Sequence, residues 1–409
     1  MLNITTLWCG VPSPGDRLRY GVGGAPVHRR PVVVWNLTQR CNLFCAHCYA
    51  SARSRPLPGE LAGEEALRIV DELADYEVPV LLLSGGEPLL HPDVLGIAQR
   101  AAARGITVGL STNGTLLDEG WARALREAGV SNVGVSLDGL EEANDRFRGK
   151  RGAFRAALDG VRAAVRVGFR TSLRLTMTRY TVDDLEALFD LAEAEGVERL
   201  CFYHLAYAGR GERIVSRAGL PPDRTRAAVD RILDATERRL ARGVRLEVLT
   251  VDNHADAVYL VLRAARERPE RLPRLLSLLL RNGGNSSGVG IGCIGPTGEV
   301  HPDAFSRMVS FGNVRERPFA AIWSDTRHPV MAGLKRRPRP LRGRCGSCPA
   351  LPLCNGNLRA RAAAVSGDFW GPDPACYLSD EELEEVGGVL ARFRRPPNPP
   401  DLSTAPASG

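Results

Sequence analysis

The residues best suited to chemistry are cysteines, and they fall in two sets. Cys41, Cys45 and Cys48 stand in a C-x3-C-x2-C spacing within Cys41-Asn42-Leu43-Phe44-Cys45-Ala46-His47-Cys48. Three thiolates this close on one loop can hold three irons of a cubane. A [4Fe–4S] cluster is ordinarily held by four cysteines, so the fourth iron stays open to a small molecule. Zinc is the alternative; it would take a fourth Cys or His, and His47 is the donor at hand. The second set, Cys345, Cys348, Cys354 and Cys376, is spaced C-x2-C-x5-C-x21-C. It supplies four thiolates, enough for a second, fully ligated cluster, with a zinc ribbon as the alternative. Cys293 lies upstream as a leftover or a swapped ligand. Cys9 reads as an unligated thiol and Cys201 as a core residue on a strand.

The elements that must position these groups follow from periodicity. Apolar runs at 32–37, 78–84, 106–112, 130–137, 171–176 and 200–205 read as strands. Helical patterns near 64–76, 92–104, 119–128, 153–167 and 182–195 separate them. Such alternation predicts parallel βα units. Six units are too few to close an eight-fold barrel. Ligands of parallel α/β folds bind at the C-terminal strand ends, and the distinctive residues fall there. The first strand leads into Cys41. The second ends in Gly85-Gly86-Glu87-Pro88, where glycines permit close backbone approach and a carboxylate can accept from an ammonium. The third ends in Thr112-Asn113-Gly114. The fourth ends in Ser136-Leu137-Asp138, whose polar groups suit ribose hydroxyls or substrate, or else cap a turn. Arg174, on the fifth, can neutralise a carboxylate or simply be exposed.

The triad of cysteines, the Gly-Gly-Glu-Pro turn and the Thr-Asn-Gly stretch resemble the radical S-adenosylmethionine (SAM) enzymes. That resemblance implies a partial (β/α)6 barrel of TIM type, an α/β fold, with a [4Fe–4S] cluster on Cys41, Cys45 and Cys48. It implies SAM bound through Gly85, Gly86, Glu87, Thr112, Asn113, Ser136, Asp138 and Arg174, and cleaved to a 5'-deoxyadenosyl radical. Cys345, Cys348, Cys354 and Cys376 resemble the distal part of the SPASM extension of that family. Full SPASM domains carry a further cysteine where this chain has Leu358, so one auxiliary cluster is expected. Further stretches resemble the tetrapyrrole-modifying members: Cys9-Gly10 with 14–21, 32–38, the glycine block 282–303, and 343–378. These imply a 12,18-didecarboxysiroheme substrate. Its acetates would be removed, as in alternative heme synthesis, or its propionates, as in heme d1 synthesis. A SPASM peptide-modifying enzyme and a non-enzymatic zinc module are the other readings. An external electron donor of ferredoxin or flavodoxin type is implied as a partner.

Bulk composition agrees with an ordinary globular chain: 409 residues, 44% hydrophobic, 25% charged, formal charge +7. No apolar run is long enough to span a membrane, and the first residues lack a secretory signal. A cytoplasmic setting with reduced, metal-binding thiols is therefore expected. The cations are spread along the chain and no nucleic-acid motif occurs, so neither nucleic acid nor membrane is expected as a partner. The basic run 335–344, with Arg359 and Arg361, suits carboxylates of a macrocycle or forms a solvated loop. The expected organisation is an N-terminal extension (1–30), the barrel (31–209), a helical connector (210–281), the auxiliary domain (282–380) and a tail (381–409), largely disordered.

Overall fold

The computed structural model describes residues 1–21 and 30–394. The other residues, 22–29 in the extension and 395–409 in the expected disordered tail, lie outside the described residues. The centre is one sheet. Its strands in chain order are β1 (Leu2–Asn3), β2 (Val32–Thr38), β3 (Val80–Gly85), β4 (Thr107–Thr112), β5 (Val130–Ser136), β6 (Arg170–Met177), β7 (Arg199–His204), β8 (Glu247–Val251), β9 (Ile291–Ile294) and β10 (Val300–His301). The spatial order is β1-β8-β7-β6-β5-β4-β3-β2-β9-β10. β2 through β8 pair parallel in succession, and β9 pairs parallel with β2. The ends do not meet, so the barrel is partial.

Helices α1 (Gly63–Asp75), α2 (Val94–Ala103), α3 (Glu119–Glu127), α4 (Glu141–Arg148), α5 (Ala153–Arg166), α6 (Leu185–Ala194) and α7 (Pro222–Ala241) lie between these strands. Side chains alternate across a strand. One set, including Val33, Trp35, Leu81, Leu83, Val133, Val135, Leu173 and Phe202, is fully buried in the main core with the apolar faces of the helices. The alternate set faces away from the helices and mixes apolar residues, such as Val34, Leu82, Leu249 and Val251, with small or polar ones. Asn36 is in register with Ser84, Ser111 with Gly134, and Ser136 with Arg174. The sheet thus offers polar groups on an inner face opening at the strand ends.

Three expectations are corrected. The stretch read as a helical connector contains β8, which extends the sheet beyond six units. The auxiliary segment is not separate from the barrel, because its β9 is a strand of the same sheet. The start of the tail is ordered: after α8 (Ala255–Glu267), α9 (Leu272–Asn282) and α10 (Arg359–Ser366), the chain forms α11 (Asp380–Arg394), which buries Leu383, Val386, Val389 and Leu390. The start of the N-terminal extension packs on the sheet, with β1 antiparallel to β8.

Glu247 fastens that extension. Its carboxylate meets Arg19 at 3.0 Å, Arg170 at 2.8 Å and Arg199 at 2.5 Å, and accepts from Ser13 Oγ at 2.7 Å. Burial raises its pKa, but Arg19 and Arg199 outweigh burial and pull it from 4.5 down to about 2. A depressed carboxylate stabilises the fold above its unfolded pKa and stops doing so as pH falls through the folded one. At about 1.4 kcal/mol per pH unit the contribution is about 3 kcal/mol. Glu247→Gln should therefore lower stability to urea by about that much at pH 7. The gap from the parent should close as pH falls from 4.5 towards 2; an unchanged gap would mean that shape, not charge, matters there.

Candidate active site

Cys41, Cys45 and Cys48 lie on the loop leaving β2, packed with Leu43 and Ala153. The loop has no ladder of its own and is pinned from several sides. Its backbone takes Phe44 N to Arg148 O at 3.2 Å and Ala46 N to Phe147 O at 2.9 Å. Cys41 N donates to Arg53 O at 2.7 Å. The sulfurs also have donors: Arg148 Nη1 reaches Cys45 Sγ at 3.6 Å, Asn113 Nδ2 reaches Cys41 Sγ at 3.8 Å, and Ala52 N reaches Cys48 Sγ at 3.4 Å. Burial pushes the Cys41 thiol up to about 12 and raises Cys45, and each neighbouring cysteine adds to the rise. Three like groups crowded in a half-buried loop fit a cationic iron centre that would hold them as thiolates. Among the described residues, no three His, Cys, Asp or Glu side chains are arranged around a single ion. A cubane asks for something different, one thiolate per iron.

Gly85 and Gly86 are required by the chain itself. A Cβ on Gly85 (φ +128°) would stand 2.6 Å from Thr38 O, and one on Gly86 2.2 Å from Arg40 O. The close approach expected of this turn is therefore to the cysteine loop. Glu87 follows, fully buried. It accepts from Thr112 Oγ1 at 2.7 Å, Asn113 N at 2.8 Å and Leu89 N at 3.2 Å, which ties the β3 end to the β4 end. Burial raises its pKa to about 7 against those hydrogen bonds. Asn113 continues the chain of contacts, donating to Asn42 Oδ1 at 2.8 Å. Ser136 and Arg174 sit side by side on the inner face. The Arg174 guanidinium lies across Gly134 and donates to Ser111 Oγ, and its Nε is buried without a partner.

Asp138 occupies a different place from the one its position at a strand end suggests. It is fully buried beneath the cysteine loop. Its Oδ2 pairs with Arg148 Nη2 at 2.5 Å and His47 Nε2 at 3.2 Å, and its Oδ1 accepts from Thr176 N at 2.6 Å. Burial lowers the His47 pKa to about 4, so the ring is neutral, stacked on Phe147 at 4.3 Å. Arg148 was not singled out from sequence. It closes α4, whose run Glu-Glu-Ala-Asn-Asp-Arg-Phe-Arg has little apolar periodicity; its signals are the acidic first turn and the left-handed Gly149.

Cys345, Cys348, Cys354 and Cys376 line one cavity with Ala255, Val258, Leu351 and Leu383. The chamber is apolar, and four thiols opening on it are a donor set that a [4Fe–4S] cluster would use. Cys293 is not part of it. It lies on β9, fully buried with Val34 and Ala304, and receives Asn36 Nδ2 at 3.5 Å. Of the nearby cations, Arg336, Arg337 and Arg342 are exposed, as a solvated loop would be, but three others are not. Arg339, Arg359 and Arg361 are buried. Arg359 donates to Gly371 O at 2.5 Å, Arg361 pairs with Asp373 at 2.9 Å, and Arg339 donates to Asn285 Oδ1 at 2.8 Å. Planar guanidinium groups satisfy several loop carbonyls at once, so these residues are not free to take substrate carboxylates.

Replacing Asp138 by Asn should leave Arg148 buried without its counter-charge. The expected cost is about 3–5 kcal/mol, read from urea denaturation of the cluster-free protein. Weaker SAM binding with unchanged stability would place Asp138 at the ribose instead.

The model of the Radical SAM superfamily matches residues 35–192. Fe-coproporphyrin III synthase of Methanosarcina barkeri is 48% identical over 396 residues, covering 94% of this chain and 99% of that one. Pre-heme d1 synthase of Dinoroseobacter shibae is 43% identical over 357 residues, covering 86% and 87%. Among solved structures, Streptococcus suis SuiB bound to its precursor peptide SuiA superposes with a TM-score of 0.65 at 17% identity, covering 87% and 77%. AdoMet-bound anSMEcpe gives 0.66 at 18%, covering 89% and 97%. At such identities the likeness is one of fold.

Proposed function

The chain belongs to the radical SAM superfamily, and on that premise we propose that it removes the two acetate side chains of 12,18-didecarboxysiroheme, giving iron-coproporphyrin III. The observation that carries this reading is the overlap, end to end, with Fe-coproporphyrin III synthase. The similarity to pre-heme d1 synthase supports a second reading, loss of propionates from the same macrocycle.

Cys41, Cys45 and Cys48 hold the catalytic [4Fe–4S] cluster in this proposal. Gly85, Gly86, Glu87, Thr112, Asn113, Ser136 and Arg174 form the SAM side of the site. The bound cluster and SAM together supply a 5'-deoxyadenosyl radical. The chain's own work is positional and electrostatic. Glu87 fixes the two strand ends that flank the cysteine loop. Arg174, with no carboxylate partner among the described residues, neutralises a carboxylate on the inner face. Asp138 and Arg148 orient the loop from beneath. Cys345, Cys348, Cys354 and Cys376 hold an auxiliary [4Fe–4S] cluster, and an external carrier of ferredoxin or flavodoxin type supplies electrons. No helix among the described residues is long and apolar enough to cross a membrane. We place the enzyme in the cytoplasm, where its thiols stay reduced.

Two measurements test this. Anaerobically reconstituted protein should carry about eight irons and eight sulfides per chain. The Cys41→Ala/Cys45→Ala/Cys48→Ala variant should keep about half and lose SAM cleavage; about four irons in the parent would remove the auxiliary cluster. Incubation with didecarboxysiroheme, SAM and a strong reductant should give a product lighter by two acetates. Two propionates replaced by oxo groups would select the heme d1 reading. An unchanged macrocycle, with SAM cleavage intact, would reject both and favour a peptide substrate.

A further inference from the structure

The cysteine loop has two sides. Tyr49, beside Cys48, turns to the inner face, bonding Asn36 Oδ1 at 3.0 Å and Ser84 Oγ at 3.1 Å. Phe44, between Cys41 and Cys45, turns outward and is 64% exposed. Its ring carries the Arg210 guanidinium at 4.1 Å, and Arg210 Nε donates to Cys45 O at 2.8 Å. An exposed aromatic next in the chain to Cys45, a proposed cluster ligand, has no part in the inner site.

The surface around Phe44 is basic in a particular way. Arg40 and Arg53 are bridged across the loop's root, with Arg55 just beyond. Lys150 and Arg151 follow Gly149, where a Cβ would stand 2.6 Å from Phe44 O. Arg146 and Arg217 share an open groove with Ala46 and Phe147, whose backbone groups pair in the loop. These cations are exposed and none has a carboxylate partner within the described residues. Several surface arginines elsewhere are neutralised, Arg100 by Asp71, Arg162 by Glu195, Arg266 by Glu385 and Arg315 by Glu65, each through two hydrogen bonds. Others, such as Arg17, Arg126 and Arg245, are exposed without an ion pair but stand singly, whereas the cations here cluster about the cysteine loop. The acids facing the patch are Glu142 and Asp184 in the groove, with Asp184 engaged by Leu140 N at 2.8 Å, and exposed Glu212. Cations remain in clear excess.

We propose that this face docks an acidic one-electron carrier protein, which delivers its electron across the Phe44 side of the cysteine loop. The inference rests on the radical SAM reading of that loop and deepens it. One electron leaves the carrier's reduced flavin or iron–sulfur centre and enters the cluster held by Cys41, Cys45 and Cys48; no bond changes in that step. Uncompensated charge accelerates encounter with an oppositely charged partner by roughly 10- to 1,000-fold and fails at high salt. The position answers a second need, since electron transfer requires the carrier to come close to the cluster while the inner face stays free for SAM and the macrocycle. A nucleic acid would also be drawn to such a face, but gains nothing from lying over a cluster.

The test uses holoenzyme and a flavodoxin. Binding of the oxidised carrier, in which no electron moves, is measured beside SAM cleavage without tetrapyrrole, driven by reduced flavodoxin or by dithionite. Two variants are used, Arg146→Glu/Arg217→Glu and Lys150→Glu/Arg151→Glu. Each should weaken flavodoxin binding at least ten-fold, slow flavodoxin-driven cleavage to match and flatten its salt dependence. Dithionite-driven cleavage should not change. Unaltered flavodoxin binding in both variants overturns the proposal, as does a rise only in the KM for the tetrapyrrole, which would make the patch a substrate site. Absence of cleavage with dithionite in the parent would instead refute the radical SAM reading itself.

Discussion

The active end of this molecule depends on a buried ion pair. Three cysteines on an irregular loop cannot present sulfurs in fixed positions by backbone hydrogen bonding alone. Asp138 supplies what the loop lacks. From beneath, it grips Arg148 and His47, and Arg148 in turn reaches Cys45 Sγ. A buried carboxylate and guanidinium cost desolvation, and such a pair is weak evidence for stability as such. Its value here is positional. Once Arg148 is committed to Asp138, its second nitrogen has one direction left, towards the sulfur. If Cys45 holds a cluster as proposed, a donor aimed at its thiolate would favour the reduced, more negative state.

Much of this was legible in the sequence, for a physical reason. The helix-facing half of each parallel strand is apolar, so β2 to β7 read as strands and their C-terminal ends could be counted off. The Gly85-Gly86-Glu87 and Thr112-Asn113 turns then had to share one end of the sheet with Cys41, Cys45 and Cys48. What sequence did not reveal was direction. Asp138 ends its strand as a ribose ligand would, yet it points beneath the loop. Arg148 hides in a polar helix without an apolar stripe. β8 is five residues between Arg-rich helices, and its short run Val248-Leu249-Thr250-Val251, buried on both faces, was too brief a signal to stand against its flanks.

The arginines of the C-terminal segment illustrate the same limit. Charge in a sequence suggests surface, and a guanidinium suggests a ligand carboxylate. The auxiliary segment has few regular elements, so its loops bury carbonyl oxygens that no ladder satisfies. Arg339, Arg359 and Arg361 serve those carbonyls. Burial lowers the pKa of Arg339 and Arg359, whereas the carboxylate of Asp373 outweighs burial and raises that of Arg361. They are the substitute for secondary structure around the four-cysteine cavity. Arg336 and Arg337 of the same segment stay exposed, as do the cations on the barrel side around Phe44.

The two cysteine sets are held together by one short stretch of chain. After β7, residues 205–211 touch both. Leu205 O accepts from Arg361 Nη1 at 3.2 Å, and the Tyr207 ring lies 5.9 Å below the same guanidinium. Arg210 N donates to Cys48 O at 3.0 Å, and a Cβ on Gly209 would strike Tyr49 O at 2.4 Å. The β8 end is fastened likewise, with Asp252 O accepting from Arg361 Nη2 at 2.7 Å and His254 N donating to Asn357 Oδ1 at 2.8 Å. Loops at parallel strand ends are ordinarily free to vary. Here the loop after β7 is packed without slack between the two sets, and β9 adds the auxiliary segment to the far side of the sheet. A segment joined to both edges of an open barrel cannot swing independently of it. The space between the cysteine sets is thereby set by the fold before any ligand arrives, which is what the proposed reaction, a rigid macrocycle met by a short-lived radical, would require.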